Sequence, residues 1–238
     1  MTRVAVDERS SANFSSAIPP FFSIILPTYN RHRLVENAIQ SVLAQTFDDW
    51  ELLVIDDGSS DKTFDVVETL ILADKRLRYH FAKNRGLAEV RNLGLMMGTG
   101  RYFTFLDSDD EYKPEHLAAR AEYLKRHTNV ELLHGGVEII GPVVVADKRD
   151  PTTRISISEC VIGGTFVIRR DLAERLHGFR DLYGDDADFF ARADHAGANI
   201  QKIDVRTYIY NRMEPDSLCA IVEREGIEGI AKFRNSNG

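Results

Sequence analysis

From Phe21 onward, short apolar runs alternate with stretches in which apolar residues recur every three or four positions. Phe22 to Leu26 reads as a buried strand stopped at Pro27. Leu34, Ala38, Val42 and Leu43 keep helical spacing and predict a helix over about 32–45. Trp50 to Ile55 is a second strand, and its tail, Asp56 to Asp61, holds turn residues. Ser60 or Asp61 is then the N-cap of a helix carrying Val66, Val67 and Leu70. A strand over 78–82, a helix over 86–97 closed by Gly98 and Gly100, and a strand from Tyr102 to Leu106 follow. Pro114 suits the first position of the next helix, and Val130 to Leu133 opens another strand.

Strands alternating with helices predict an α/β fold with a mainly parallel central sheet and helices on both faces. Ligands of such sheets bind outside the carboxyl ends of the strands. Thr28-Tyr29-Asn30, Asp56-Asp57 and Asp107 to Asp110 all stand at such ends, so they should meet in one crevice although about 80 residues separate the outer two. The second half is less regular. Residues 142–160 form a long loop or hairpin, and Gly163-Gly164 precede a strand-like Thr165 to Ile168. Phe189, Phe190 and Ala193 suggest a helix, 200–212 hold two short strands, and 217–233 a last helix.

Composition narrows the partners. Thirty basic against 37 acidic residues give a net charge of −7, the opposite of the basic excess that nucleic-acid binders carry. Two cysteines, Cys160 and Cys219, make neither a disulfide framework nor a zinc cluster. No apolar run approaches the roughly 20 residues of a membrane span, and no basic-then-apolar N-terminus marks a secretory signal. The expected location is the cytoplasm. Contact with a membrane surface stays open, although Glu223, Arg224, Glu225 and Glu228 make the last helix a poor inserting one. Residues 1–20, rich in Ser and charge and ending at Pro19-Pro20, read as a mobile leader.

The polar clusters carry the chemistry. Asp107 and Asp109, two apart on a turn, can share one hard cation, with water and substrate phosphate oxygens completing its shell. A solvated acidic turn is the plain alternative. Asp57 can accept from a base N–H or a ribose hydroxyl, or merely serve its turn; Tyr29 offers a ring against which a base packs. Arg91 is either a phosphate clamp or a partner for the acidic clusters. Asp185-Asp186 can hold a general base or simply favour the helix dipole. No P-loop, zinc-ligand spacing or complete dinucleotide fingerprint is present.

In order, these clusters form a recognisable series. Ser23 to Asn30, Ser41 to Phe47, Glu51 to Ser59, Asn84-Arg85-Gly86, Ala88 to Asn92, Gly94 and Phe105 to Asp110 resemble the family 2 glycosyltransferases, most strongly over 22–117 and as far as about 212. The resemblance implies a GT-A fold over 21–215, with a nucleotide-sugar-binding half (21–112), an acceptor-binding half (113–215) and a C-terminal helix or tail (216–238). It implies inverting transfer from a nucleotide-sugar, with a UDP-sugar the expected donor and the acceptor hydroxyl and oligomeric state undefined. Pro27, Thr28, Tyr29, Asn30, Asp57, Arg85, Arg91, Asp107 and Ser108 would line the donor site. Asp57 would sit at the base and Asp107 near the ribose, while Asp109, with Asp107, would hold Mn²⁺ or Mg²⁺. Asp186 would be the catalytic base, with Gly163, Gly164, Thr165 and Asp185 on the acceptor side.

Two departures stand out. Asp185 replaces the family's more usual Glu, and no His follows the last strand at Asn211-Arg212-Met213, which leaves Arg212 as a candidate diphosphate contact. A nucleotide-sugar-binding protein without turnover and a metal-dependent nucleotidyltransferase are the competing functions.

Overall fold

In the computed structural model, which describes residues 18–147 and 153–230, the strands Phe22–Thr28 (β1) and Trp50–Asp56 (β2) are buried along their whole length. Continuous apolar runs of this kind suit central parallel strands covered on both faces. Their register pairs Ile24 with Leu52 and Ile25 with Leu53. Alternation then feeds two cores: Ile24, Leu26, Leu52 and Val54 into one, Ile25, Leu53 and Ile55 into the other. β1 does not stop at Pro27 but runs through it to Thr28. The missing N–H of Pro27 faces the side where pairing with the fourth strand has already ended, at Ile25, so it breaks no ladder bond.

The first half continues with α1 (Val35–Leu43), α2 (Thr63–Ala73), β3 (Leu77–Phe81), α3 (Leu87–Met97) and β4 (Tyr102–Phe105). The second supplies β5 (Glu111–Tyr112), α4 (His116–Arg126), β6 (Leu132–His134), β7 (Val137–Ile140), β8 (Val144–Ala146), β9 (Arg154–Ser156), β10 (Val167–Arg169) and α5 (Arg170–Arg175). It ends with α6 (Asp185–His195), β11 (Ile200–Lys202), β12 (Tyr208–Asn211) and α7 (Leu218–Glu225). The main sheet has the order β11-β6-β10-β4-β1-β2-β3 and is parallel except at β10, which runs antiparallel to β4 and β6. A smaller mixed sheet, β5-β12-β7, lies beside it. The α/β class, the mainly parallel sheet and the mixed region of the second half are therefore as expected.

Several boundaries differ. The helix after Pro114 begins at His116, because Pro114 belongs to a turn whose carbonyl accepts the N–H of Thr46. Of Ser60 and Asp61, it is Asp61 whose carboxylate accepts the Thr63 N–H at 2.9 Å, although Lys62 stands in the cap position. Residues 163–165 form a 3₁₀ turn, and the strand expected there is β10. The 142–160 segment carries the β8–β9 hairpin. The last helix is broken at Gly226, whose φ of +72° no other residue adopts cheaply. Most of the leader, residues 1–17, and the end of the tail, 231–238, lie outside the described residues.

Candidate active site

β1, β2 and β4 end side by side, with Thr28 opposite Asp56 and Ile25 opposite Phe105. The three polar clusters therefore leave the sheet at one edge, as the parallel topology demands. Asp56 is fully buried and structural: its carboxylate accepts the Tyr79 hydroxyl at 2.7 Å and the Ser59 N–H at 2.7 Å. Asp57 points the other way. Its N–H bonds the Thr28 carbonyl at 2.8 Å, and its two oxygens accept the N–H groups of Arg85 (2.7 Å) and Gly86 (2.9 Å). This draws the loop before α3 over the end of β2. The Arg85 side chain itself is exposed, and the Tyr29 ring beside Asp57 is half-buried. Asn30 binds the neighbouring turn: its Oδ1 accepts the Ser60 N–H at 2.9 Å and its N–H donates to Ser59 Oγ at 2.8 Å. Pro27 is buried in β1, and the buried Thr28 Oγ1 has no hydrogen-bond partner among the described residues.

The Asp107–Asp110 turn splits into two roles. Asp110 is buried, and its carboxylate accepts the Tyr208 hydroxyl at 2.6 Å and the Asn211 N–H at 2.8 Å, which fastens β12 to the end of β4. Ser108 is buried as well, whereas Asp107 and Asp109 reach the surface of the crevice. Burial and the negative Asp107 nearby push Asp109 up to about 6, while the charge of Arg31 acts against them. Two crowded hard oxygens of this kind are relieved by a cation, so Asp107 and Asp109 fit Mg²⁺ or Mn²⁺. Among the described residues no group of three or more His, Cys, Asp or Glu side chains could hold a metal alone. Further ligands would have to come from water and substrate.

On the opposite lip, α6 begins with Asp185 and Asp186. Asp185 is buried and accepts the Asp186 N–H at 2.9 Å. One oxygen of Asp186 accepts the Ala187 N–H at 2.7 Å, the other the Gly163 N–H at 3.0 Å. Burial first, then the negative Asp185, raise the proton affinity of Asp186; Arg91 and the two N–H donors pull it down. Gly163 and Gly164 are required by close approach. A Cβ on Gly163 would stand 2.8 Å from Cβ of Asp186, and one on Gly164 would overlap the phenol end of Tyr208. Thr165 closes the turn by donating to the Ile162 carbonyl at 2.8 Å and accepting the Gly135 N–H at 3.1 Å.

Arg91 joins the two lips. Its guanidinium, 4% exposed, donates to both oxygens of Asp185 (2.9 and 2.8 Å) and to Asp107 at 3.3 Å. Its contacts make Arg91 a partner for the acidic clusters, one of its two expected roles. Arg212 is likewise committed elsewhere. It donates to the carbonyls of Pro142 (2.7 Å) and Val144 (2.6 Å) and to Glu223 (2.8 Å), so a diphosphate contact would first have to break these bonds. Sequence reasoning passed over Tyr208, whose hydroxyl lies between Asp110 and the Asp107 N–H, and Arg31, whose charge reaches Asp109. An arginine next to Asn30 was a readable signal for the latter; nothing local marked the former.

Comparison with known proteins agrees with this layout. The model of the family described as "Glycosyl transferase family 2" matches residues 23–143. An uncharacterized glycosyltransferase of Haemophilus influenzae is 32% identical over 179 residues, 72% of this chain and 70% of that protein. The UDP-Glc:alpha-D-GlcNAc-diphosphoundecaprenol beta-1,3-glucosyltransferase WfgD of Escherichia coli is 36% identical over 61% of this chain and 58% of its own length. In a longer Rickettsia felis relative the match spans only 17% of that protein. Among solved structures, S. aureus TarS 1–349 in complex with UDP-GlcNAc superposes with a TM-score of 0.67 at 24% identity, covering 81% of this chain and 59% of that one. The Pyrobaculum calidifontis mannosyltransferase PcManGT, with GDP-Man and Mn²⁺, gives 0.67 at 23% identity over 90% and 64%. These neighbours share the GT-A fold. Ordered motifs, strand-end geometry and the family match converge, and the chain belongs to glycosyl transferase family 2.

Proposed function

We propose that the protein transfers a sugar from a nucleotide-sugar, a UDP-sugar in the first instance, to an acceptor hydroxyl with inversion at the anomeric carbon. The observation that carries this reading is the pairing across one crevice of a half-exposed aspartate turn, Asp107 and Asp109, with a carboxylate of raised proton affinity, Asp186. Single displacement needs such a pair: a base on one face of the sugar, and charge stabilisation for the leaving diphosphate on the other. WfgD by its name uses UDP-Glc, and TarS was solved with UDP-GlcNAc, which supports a UDP-sugar. WfgD also acts on a lipid diphosphate sugar, making a lipid-linked saccharide the first acceptor to try.

In this mechanism Asp57, held in place by the N–H groups of Arg85 and Gly86, accepts from a base N–H, and Tyr29 flanks the base. Asp107 and Asp109 would hold Mn²⁺ or Mg²⁺, as the Mn²⁺ complex of PcManGT supports; the ion would supply charge neutralisation for the departing diphosphate. Asp186 accepts the acceptor hydroxyl's proton as its oxygen attacks, and the N–H groups of Gly163 and Ala187 keep the carboxylate aimed.

Asp186→Asn tests the assignment. Turnover should fall by about 10²-fold or more, the scale of general-base catalysis, while nucleoside diphosphate still binds. Near-normal turnover in that variant removes Asp186 from the mechanism. Detection of pyrophosphate as the product, and not nucleoside diphosphate, would replace sugar transfer by nucleotidyl transfer.

A further inference from the structure

Arg91 lies on α3, sixteen residues before Asp107 and 94 before Asp185. Its guanidinium lies against a pair of aromatic rings, 5.9 Å from the centroid of Phe105 and 5.5 Å from that of Phe179, which themselves pack edge to face at 5.3 Å. Burying a guanidinium is costly unless its charge is met. Here one nitrogen takes both oxygens of Asp185 and the other reaches Asp107. Asp185 in turn accepts the N–H of Asp186 and so fixes the first turn of α6. The chain Asp107–Arg91–Asp185–Asp186 therefore runs, through side chains and one backbone amide, from the donor side of the crevice to the base. β4 and α6 are not neighbours in any ladder, and the Phe105–Phe179 pair covers one side of the guanidinium.

From this geometry we infer that Arg91 is a positioning residue that sets the spacing between the donor-phosphate side, at Asp107, and the proton acceptor Asp186, acting through Asp185. The inference rests on the sugar-transfer reading above and deepens it. In-line displacement fixes how far the base stands from the leaving group, and a misplacement of about 1 Å costs on the order of 10²-fold in rate. Arginine suits the task because its planar fork offers two nitrogens to two acids at once. A lysine offers one charged centre and cannot hold both. The charge of Arg91 also restrains the proton affinity of Asp186 against burial and against Asp185. The shorter Asp185 at the position of the family's usual Glu places the acid directly on the guanidinium, at 2.8 Å.

The test compares wild type, Arg91→Lys, Asp185→Asn and the pair Arg91→Lys with Asp185→Glu, in the full chain. For each, kcat and KM are measured with a nucleotide-sugar and Mn²⁺, and UDP affinity is measured separately. Arg91→Lys should lose about 10²-fold in kcat while UDP affinity and KM for the donor change less than about threefold, one rotamer's worth of contact. Asp185→Asn, which keeps its size and a hydrogen-bonding oxygen, should lose kcat in the same way. The longer carboxylate side chain introduced by Asp185→Glu should recover part of the loss by reaching the shorter cation. Wild-type rates in Arg91→Lys, or parallel loss of kcat and UDP binding without rescue, would overturn the positioning role. If Arg91→Lys does not fold, Asp185→Asn alone decides: an undiminished kcat there overturns it. Failure of the wild type to turn over any nucleotide-sugar, with UDP still bound, would instead remove the functional reading and this inference with it.

Discussion

Placing a methyl group on Gly164 tests how tightly the crevice is built. A Cβ there would come within 2.8 Å of Cε2 of Tyr208 and closer still to its Cζ and Oη. Tyr208 cannot retreat easily: it is fully buried, T-shaped against Tyr112 at 5.7 Å, and donates to Asp110 at 2.6 Å. Overpacking a core of this kind costs about 1–3 kcal/mol. Displacing the hydroxyl from a buried carboxylate adds about 1.5–3 kcal/mol for a hydrogen bond to a charged group. Gly164→Ala should therefore destabilise by roughly 3–5 kcal/mol, a large part of the 5–15 kcal/mol by which domains are stable. The Tyr208 hydroxyl also receives the Asp107 N–H at 3.4 Å, so the same change should weaken nucleotide-sugar binding. Urea unfolding followed by circular dichroism measures the first effect. Gly197→Ala is the control, since its φ is +69° and no atom lies within 4 Å of the added group. It should lose only the cost of a left-handed alanine, about 1–2 kcal/mol. A loss below about 1 kcal/mol for Gly164→Ala would show that the Tyr208–Asp110 contact does not hold the turn.

The remaining expectations concern charge. Asp109→Asn should make UDP binding insensitive to Mn²⁺, and chelation of the metal should leave that variant unchanged while weakening wild-type binding, as read by calorimetry. His116 is fully buried, stacked on Tyr112 at 3.7 Å, and held neutral by burial and by Arg120; burial also lowers His134, to about 4. Unfolded histidines take up protons near pH 6.5 and these do not, so their contribution is present above that pH and lost below it. His116→Phe should flatten the decline of stability from pH 6.5 to 5 by up to about 1.4 kcal/mol per pH unit, whereas a slope equal to wild type would mean that the ring is already charged in the fold. Arg212→Ala frees two carbonyls and Glu223. It should cost about 2 kcal/mol and speed hydrogen exchange over 218–225 without changing UDP affinity; lost UDP affinity would return Arg212 to the diphosphate.

Elements whose signal lies within ten or so residues were readable. β1 to β4 and α1 to α3 follow from apolar periodicity and from glycine and acid punctuation, because each is decided mostly by its own burial pattern. The short elements β5, β7 and α5 were not. β5 has two residues, and α5 six, Arg170–Arg175, fewer than two turns and too few to show a period. Pro114 misled because a proline suits a turn as well as a first helical turn, and only the Thr46 contact decides between them. The antiparallel insertion of β10 between β4 and β6 leaves no local trace, since a strand reads the same in either direction.

The candidate site divides along the same line. The order of the motifs was enough to place Asp57, Asp107, Asp109 and Asp186 at strand ends and at a helix start, since a parallel sheet with right-handed crossovers brings such ends to one edge. Residue types alone fixed which groups are acids and which turns need glycine. The resemblance singled out Asp57 and Asp109, but only the tertiary structure gave the reason Asp56 and Asp110 beside them differ: their carboxylates are taken up by Tyr79 and Tyr208. Only it turned Arg91 towards Asp185, 94 positions away. Chain-local physics settles backbone conformation, because torsions and side-chain periodicity act over a few residues. The pairing of charges waits for packing, since an ion pair is decided by which groups lose their water together.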